Sequence, residues 1–373
     1  MKVLSLVSYN IFPAKLGGQK GIALFNEYLS KECDFICVTT KSNKQEFTDA
    51  YKLYTLLSNS PLRYINLFCF FSIRSIIKKE GVTHLVLEHP YYGWLGILLK
   101  WFTGVKLVVH SHNIENTRWK SLGKWWWPVL FQYEKITHRA AHYNFFIQQE
   151  DMDYALEHFK LKKERCIPIT YGIEWDKPTN REERLRCRKI LQEQYGLNDD
   201  VKIFLFNGTL SYFPNLQAVD ILLEKINPLL LTSAMDYRII ICGKGLPDSY
   251  HGLASYTAKN IIYAGFVDDI TVYFKGADLF LNPVVEGGGI KTKLVEAIGY
   301  GTAAVSTRNG SIGVSRQEAG EMLSIVEDGD WNQFSKAIHD GMGKTANTIT
   351  PQAFYEKFYW GNIAHKAISF ISH

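Results

Sequence analysis

The chain has 373 residues, 46% of them hydrophobic and 21% charged, with 28 Gly and 11 Pro. This length suits two domains, and the composition excludes a disordered, fibrous or low-complexity chain. The net charge of +5 hides an asymmetry, because residues 1–175 hold 22 Lys+Arg against 15 Asp+Glu while residues 176–373 hold 20 against 22; the basic half implies an anionic partner, a phosphate-bearing molecule or an acidic lipid surface, unless it is simply a solvated face.

Short apolar runs bounded by turn residues predict strands at Val3–Val7, Phe35–Thr39, His84–Leu87, Lys106–His110 and Tyr143–Ile147. The first run is too short for a signal peptide and lacks a small-residue cleavage site. After it, Pro13-Ala-Lys-Leu-Gly-Gly-Gln-Lys-Gly21 opens a helix through Ile22, Phe25 and Leu29, so Gly17 and Gly18 offer free amides at a helix start. The apolar stretches around Ile65–Ile77 and Trp94–His110 are cut by Arg74, Lys100 and Lys106, so neither reads as a membrane span. Two strand ends carry chemistry-bearing residues: Glu88-His-Pro-Tyr-Tyr92, a candidate acceptor lining, and His110-Ser-His-Asn-Ile-Glu115, in which His112 is preferred to His110.

Next, Arg118, Lys120 and Lys124 interleave with Trp119, Trp125, Trp126 and Trp127. Trp favours the membrane interface and the cations favour anionic headgroups, which makes a peripheral docking patch; aromatic packing against the core is the alternative. Asp151-Met-Asp153 is a DxD triplet of the metal-binding kind, but it opens a helical pattern where acids complement the dipole, and no metal is expected. The six cysteines, Cys33, Cys37, Cys69, Cys166, Cys187 and Cys242, form no CxxC pair and have no His at ligand spacing, so the chain fits a reducing compartment without zinc or disulfides.

A hinge is expected between Tyr171 and Asp200, with a charged helix from Arg181 to Tyr195 ending before Gly196. Strands then recur at Lys202–Phe206, Tyr237–Cys242, Asn260–Tyr263, Leu279–Asn282 and Ala303–Ser306. Strands alternating with helical stretches mean parallel, doubly wound α/β sheets in both halves, with ligands expected at the carboxyl ends of the strands and in the cleft between the domains. Gly243-Lys-Gly245 lacks the third glycine of a dinucleotide fingerprint, which disfavours NAD. The strongest motif is Asn282-Pro-Val-Val-Glu-Gly-Gly-Gly-Ile-Lys-Thr-Lys-Leu-Val-Glu-Ala. Gly287, Gly288 and Gly289 free the backbone N–H groups for an anion, the following helix adds its dipole, and Lys291 adds a full charge. Glu286 and Glu296 flank this phosphate cradle as acceptors for sugar hydroxyls.

This stretch resembles the donor-binding signature of glycosyltransferase family 4, retaining enzymes of GT-B fold, in its Gly-Gly-Gly-Ile-Lys variant; the commoner form spaces its two glutamates more closely than Glu286 and Glu296. The resemblance implies two Rossmann-like domains: an acceptor-binding one at residues 1–172, a nucleotide-sugar donor-binding one at 173–350, and a C-terminal helix at 351–373 crossing back to the first. It implies catalytic roles for Lys291, Glu286 and His112. Donor contacts are implied from Gly17, Gly18, Gly208, Thr209, Asn215, Lys244, Val267, Gly287, Gly288, Gly289, Ile290 and Glu296, with Glu296 on the ribose and Glu286 on the sugar. Many members carry an Arg and a Lys where this chain has Thr209 and Pro214-Asn215, so Lys291 becomes the principal cation.

The expected activity is metal-independent hexosyl transfer, without cofactor, from a UDP- or GDP-sugar to a glycan or lipid-linked acceptor in surface polysaccharide or lipopolysaccharide synthesis. The expected location is cytoplasmic, at the inner membrane face, through Arg118, Trp119, Lys120, Lys124, Trp125 and Trp126. No nucleic-acid motif is present. The alternative is a catalytically silent sugar-nucleotide-binding or membrane-associated module of the same fold.

Overall fold

The computed structural model describes residues 1–14, 17–344 and 349–372; Lys15 and Leu16 of the first glycine turn, and His373, lie outside them. The chain divides into two compact units, Met1–Glu174 with Phe358–His373, and Trp175–Lys357.

The first unit is built on seven strands, β1 (Lys2–Val7), β2 (Asp34–Thr40), β3 (Lys52–Leu57), β4 (His84–Glu88), β5 (Lys106–Ser111), β6 (Tyr143–Phe146) and β7 (Cys166–Pro168). They pair in the order β3-β2-β1-β4-β5-β6-β7, every pair parallel. The central strands are near-continuous buried runs, as a sheet covered on both faces requires. The helices are α1 (Gly17–Glu32), α2 (Phe68–Glu80), α3 (Gly93–Thr103), α4 (Glu115–Ser121), α5 (Trp127–Ala140) and α6 (Gln149–His158). Ile73 and Ile77 of α2 and Leu95 and Leu99 of α3 close a core over Leu4, Leu85, Leu87 and Leu107. After β1 the chain is pinned by Asn43, whose Oδ1 accepts from the Ile11 and Phe12 amides at 2.9 Å each.

The second unit holds β8 (Lys202–Asn207), β9 (Tyr237–Cys242), β10 (Ile261–Gly265), β11 (Leu279–Asn282), β12 (Ala303–Thr307) and β13 (Leu323–Val326), in the order β10-β9-β8-β11-β12-β13, again parallel. Its helices are α7 (Arg181–Tyr195), α8 (Phe213–Ile221), α9 (Asn227–Leu230), α10 (Ile270–Gly276), α11 (Thr292–Gly299), α12 (Arg316–Ala319), α13 (Trp331–Lys344) and α14 (Gln352–Phe358). Helix α7 has the limits its sequence predicts: Asn180 accepts from the Glu183 amide at 2.8 Å, and Gly196 closes it at φ 62°, a left-handed cap that suits glycine. Chain order reverses between β8 and β11, the switch point where open parallel sheets leave a crevice.

The single C-terminal helix expected at 351–373 is two. Tyr359 is extended, Ile173 N–H donates to the Phe358 carbonyl at 2.7 Å and Trp360 N–H to the Ile173 carbonyl at 2.9 Å, so a β-bridge interrupts the helix. The chain then continues as α15 (Trp360–Ile371), which packs on α1 with Trp360 against Phe25.

Gly243, at the end of β9, has φ 152°, and a Cβ there would stand 1.9 Å from the Gly208 carbonyl oxygen. Gly243→Ala is expected to cost about 2–4 kcal/mol by forcing two strand-end loops apart. Urea denaturation checks this; a loss under about 0.5 kcal/mol would mean that the loops part freely.

Candidate active site

In the second unit the predicted donor residues converge on the carboxyl ends of β8, β9, β10 and β11. The loops there are stitched by backbone bonds: Gly208 N–H to the Cys242 carbonyl at 3.0 Å, Leu210 N–H to the Lys244 carbonyl at 2.8 Å, and Gly243 N–H to the Gly265 carbonyl at 2.7 Å. Asn215, in the first turn of α8, donates through Nδ2 to the Thr209 carbonyl at 3.0 Å. Lys244 extends its side chain to solvent, and Val267 is half-buried just beyond β10.

The triple-glycine turn lies between β11 and α11. Gly287 and Gly289 have φ of 90° and 74°, a conformation that glycine adopts without strain. Lys291, at the N-cap of α11, folds back and donates from Nζ to the Gly287 and Gly289 carbonyls at 2.7 and 2.9 Å. Burial pushes its ammonium down to about 8. Glu286 is exposed and accepts from Gln217 Nε2 at 3.2 Å; Glu296 sits half-buried on α11.

A second cation, overlooked in the sequence, completes the crevice. Lys293 is 9% exposed. Its Nζ donates to the Asn207 carbonyl at 3.0 Å and to Asn215 Oδ1 at 2.9 Å, and lies 4.2 Å from the centre of the Phe206 ring. Burial, then the neighbouring Lys291, push its ammonium down to about 7. It thus spans the switch point from α11 to the end of β8, and its charge meets Asn215, where the resemblance expects a lysine. Helical periodicity concealed it, since positions 291 and 293 point to different faces of a helix. The N-cap is extended, φ −89° and ψ 95°, so that rule does not apply. Asn207 Oδ1 and Gln217 Oε1 are buried with no hydrogen-bond partner among the described residues.

In the first unit Gly17 and Gly18 open α1, and a Cβ on Gly18 would meet nothing within 4 Å. His112 follows β5 and belongs to a buried cluster. Its Nε2 lies 2.7 Å from Glu88 Oε2, and His110 Nδ1 lies 3.0 Å from the same oxygen. The His112 ring lies between those of His89 and His110, with centroids 4.4 and 4.3 Å away. His89 takes φ 73°, a strained backbone for a non-glycine residue, and meets Tyr9 Oη at 3.1 Å and Glu115 Oε1 at 3.5 Å.

Burial raises Glu88, but the His110 and His112 imidazoles outweigh it and hold its carboxyl well below the usual range. Burial, then the charges of His110 and His89, push His112 down to about 3. A neutral His112 therefore donates from Nε2 to an ionised Glu88 and keeps Nδ1 as an acceptor. The Glu88, His110 and His112 ligand atoms all lie within 4.8 Å of one another. Glu88 came up in the sequence only as acceptor lining; its tie to His112 depends on the β4–β5 register, which pairs Glu88 with His110.

The Trp-rich stretch is only partly outward. Trp125 is exposed, whereas Trp119 and Trp126 are half-buried with ring centroids 5.0 Å apart. Lys120 Nζ stands 4.7 Å over the Trp127 ring, Arg118 pairs with Glu115 at 3.4 Å, and Lys124 is exposed. Asp151 and Asp153 lie on α6, accepting from Gln148 and Gln149 at 3.2 and 2.8 Å.

Comparison with known proteins bears on both units. Residues 17–177 match the model described as Glycosyltransferase Family 4, and residues 201–342 the one described as Glycosyl transferases group 1. Anabaena HepE, solved in complex with UDP, superposes with a TM-score of 0.72 over 100% of both chains at 14% identity. WaaG, a glycosyltransferase involved in lipopolysaccharide biosynthesis, superposes with a TM-score of 0.63 over 98% of this chain and 95% of its own at 15% identity. An uncharacterized 44.6 kDa protein in the cps region of Klebsiella pneumoniae is 29% identical over 130 residues, a match spanning 33% of each chain. With a family model matched in each unit and two parallel α/β sheets of GT-B type, the chain belongs to the family 4, group 1 glycosyltransferases.

Proposed function

We propose that this chain is a retaining hexosyltransferase that moves a sugar from a nucleoside-diphosphate donor, UDP- or GDP-linked, to a hydroxyl of a glycan or lipid-linked saccharide in surface polysaccharide or lipopolysaccharide synthesis. The observation that carries this reading is the pair of desolvated ammonium groups, half-buried Lys291 and buried Lys293, beside a glycine turn at the β8/β11 switch point. Two desolvated cations with few counter-charges favour an arriving diphosphate strongly. The reading draws further support from HepE, whose structures hold UDP, UDP with glucose, and UDP-glucose.

In this reading the turn amides of Gly287 to Ile290 and the two lysines take the diphosphate, with the loops at Gly208–Thr209, Asn215 and Lys244 around it. Backbone groups near Val267 hold the base, Glu296 the ribose and Glu286 the sugar. The first unit takes the acceptor and presents Gly17, Gly18 and His112, whose Nδ1 accepts from a sugar hydroxyl. In the transfer, the bond from the sugar anomeric carbon to the phosphate oxygen breaks, the acceptor oxygen bonds that carbon on the same face, and the acceptor proton passes to the departing phosphate. The lysines stabilise the charge that develops there, so the step calls for no side-chain nucleophile and no divalent ion.

Thermal unfolding with UDP, GDP or ADP, followed by assay of the matching sugar nucleotides, tests this. One nucleotide at 100 times its Kd is expected to stabilise the chain by about 2.7 kcal/mol, and its sugar to be transferred or hydrolysed. Binding without turnover would leave the silent module; no stabilisation by any of the three would remove the donor site.

A further inference from the structure

We infer that the outer face of α2, α3 and α5 in the first unit is a docking surface for an anionic lipid bilayer, much wider than the Trp-rich stretch before α5. Of the twenty strongly exposed large hydrophobic side chains among the described residues, eleven fall between residues 61 and 140. Phe68 is 80% exposed, Phe71 64%, Trp101 72% and Trp125 85%. The helices that carry Phe68, Phe71 and Trp101 adjoin: α3 packs against both α2 and α5, and the Phe70 ring touches those of Phe71 and Phe102 at 5.3 and 5.5 Å. Single exposed apolar residues are ordinary, but a run of them on packed neighbouring helices marks an interaction surface.

Charge identifies the occupant. Residues 61–140 hold eleven Lys and Arg against four Glu. Glu88, Glu115 and Glu134 are buried, and Glu80 is paired with Lys2 and Lys52 at 2.9 and 3.0 Å. Within this stretch the solvent-facing charge left unpaired is positive, and exposed Glu157 stands beside Lys120 at its margin. A second copy would bring the same sign, and a protein interface ordinarily mixes signs for complementarity. Exposed aromatic and aliphatic side chains with an excess of Lys and Arg suit the headgroup region of an anionic membrane. No described helix is long and apolar enough to cross a membrane, so the contact is peripheral.

The test is co-sedimentation of the full chain with vesicles of phosphatidylcholine alone or mixed with phosphatidylglycerol. Partitioning onto the mixed vesicles is expected to be at least about tenfold stronger and to weaken in high salt. The pair Phe68→Glu and Phe71→Glu should cut it at least about tenfold, and Lys120→Glu with Lys124→Glu should erase the preference for anionic lipid. UDP-dependent thermal stabilisation should be unchanged in both, which separates this surface from the donor site. Equal partitioning onto both vesicle types, or wild-type binding by the Phe68→Glu, Phe71→Glu chain, overturns the inference. So does a lipid-free dimer in sedimentation velocity that those two substitutions dissociate.

Discussion

Lys291→Ala is expected to lower turnover by about 100-fold or more, the effect of deleting one preorganised charge donor from a leaving group, with far less change in unfolding free energy. Lys293→Met should act differently. Methionine fills much of the same space without the cost of burying a charge, so the fold is kept or slightly stabilised while UDP affinity falls about tenfold. The pH dependence separates binding from stability. The folded pKa values, about 8 for Lys291 and about 7 for Lys293, lie below that of an unfolded lysine, about 10.4. Between about pH 7 and 10 the unfolded chain therefore binds more protons, and these two groups make stability rise with pH. UDP binding needs both ammonium groups and runs the other way, weakening about tenfold or more from pH 7 to 9 as Lys293 and then Lys291 discharge. Isothermal titration across that range checks it, and Lys291→Arg, charged throughout, should make the profile shallower, leaving only the part that Lys293 contributes. A flat wild-type profile would mean that neither lysine meets the diphosphate.

Glu88→Ala is expected to cost about 1–3 kcal/mol, because it leaves the His112 Nε2–H without its buried acceptor. Glu88→Gln keeps the shape, so it should lose less stability but still turnover, since the amide no longer fixes His112 with its proton on Nε2. Acid adds a second signature. With His112 pushed down to about 3 in the fold, the unfolded chain takes up its proton first, so stability falls as pH drops below about 6.5. Glu88, also held below its usual range, adds a loss below about pH 4.5. Urea melts at pH 7 and pH 5 are expected to show the first loss in the wild type and a smaller one in His112→Gln. Equal losses in the two chains would place the acid sensitivity elsewhere.

The ten strands read from the sequence are all present, within a residue or two at their ends. The three not read, β3, β7 and β13, lie at sheet edges. An edge strand has one neighbour and is often short; β7 has three residues ending in Pro168, and β3 fully buries only Leu57 of its six residues. The break at Tyr359 was likewise hidden, because it depends on Ile173, a residue distant in sequence.

Local order along the chain was enough to read the parallel α/β class, the charged helix α7 with both its limits, and the glycine turn with Lys291, because each rests on periodicity or turn chemistry among adjacent residues. Tertiary structure alone decided that Lys293 reaches the end of β8, that Glu88 holds His112, and that the exposed aromatics of α2 and α3 lie on packed neighbouring helices. Those relations join residues from different strands and helices. Sheet register and helix packing set such distances, and both are products of the whole buried core.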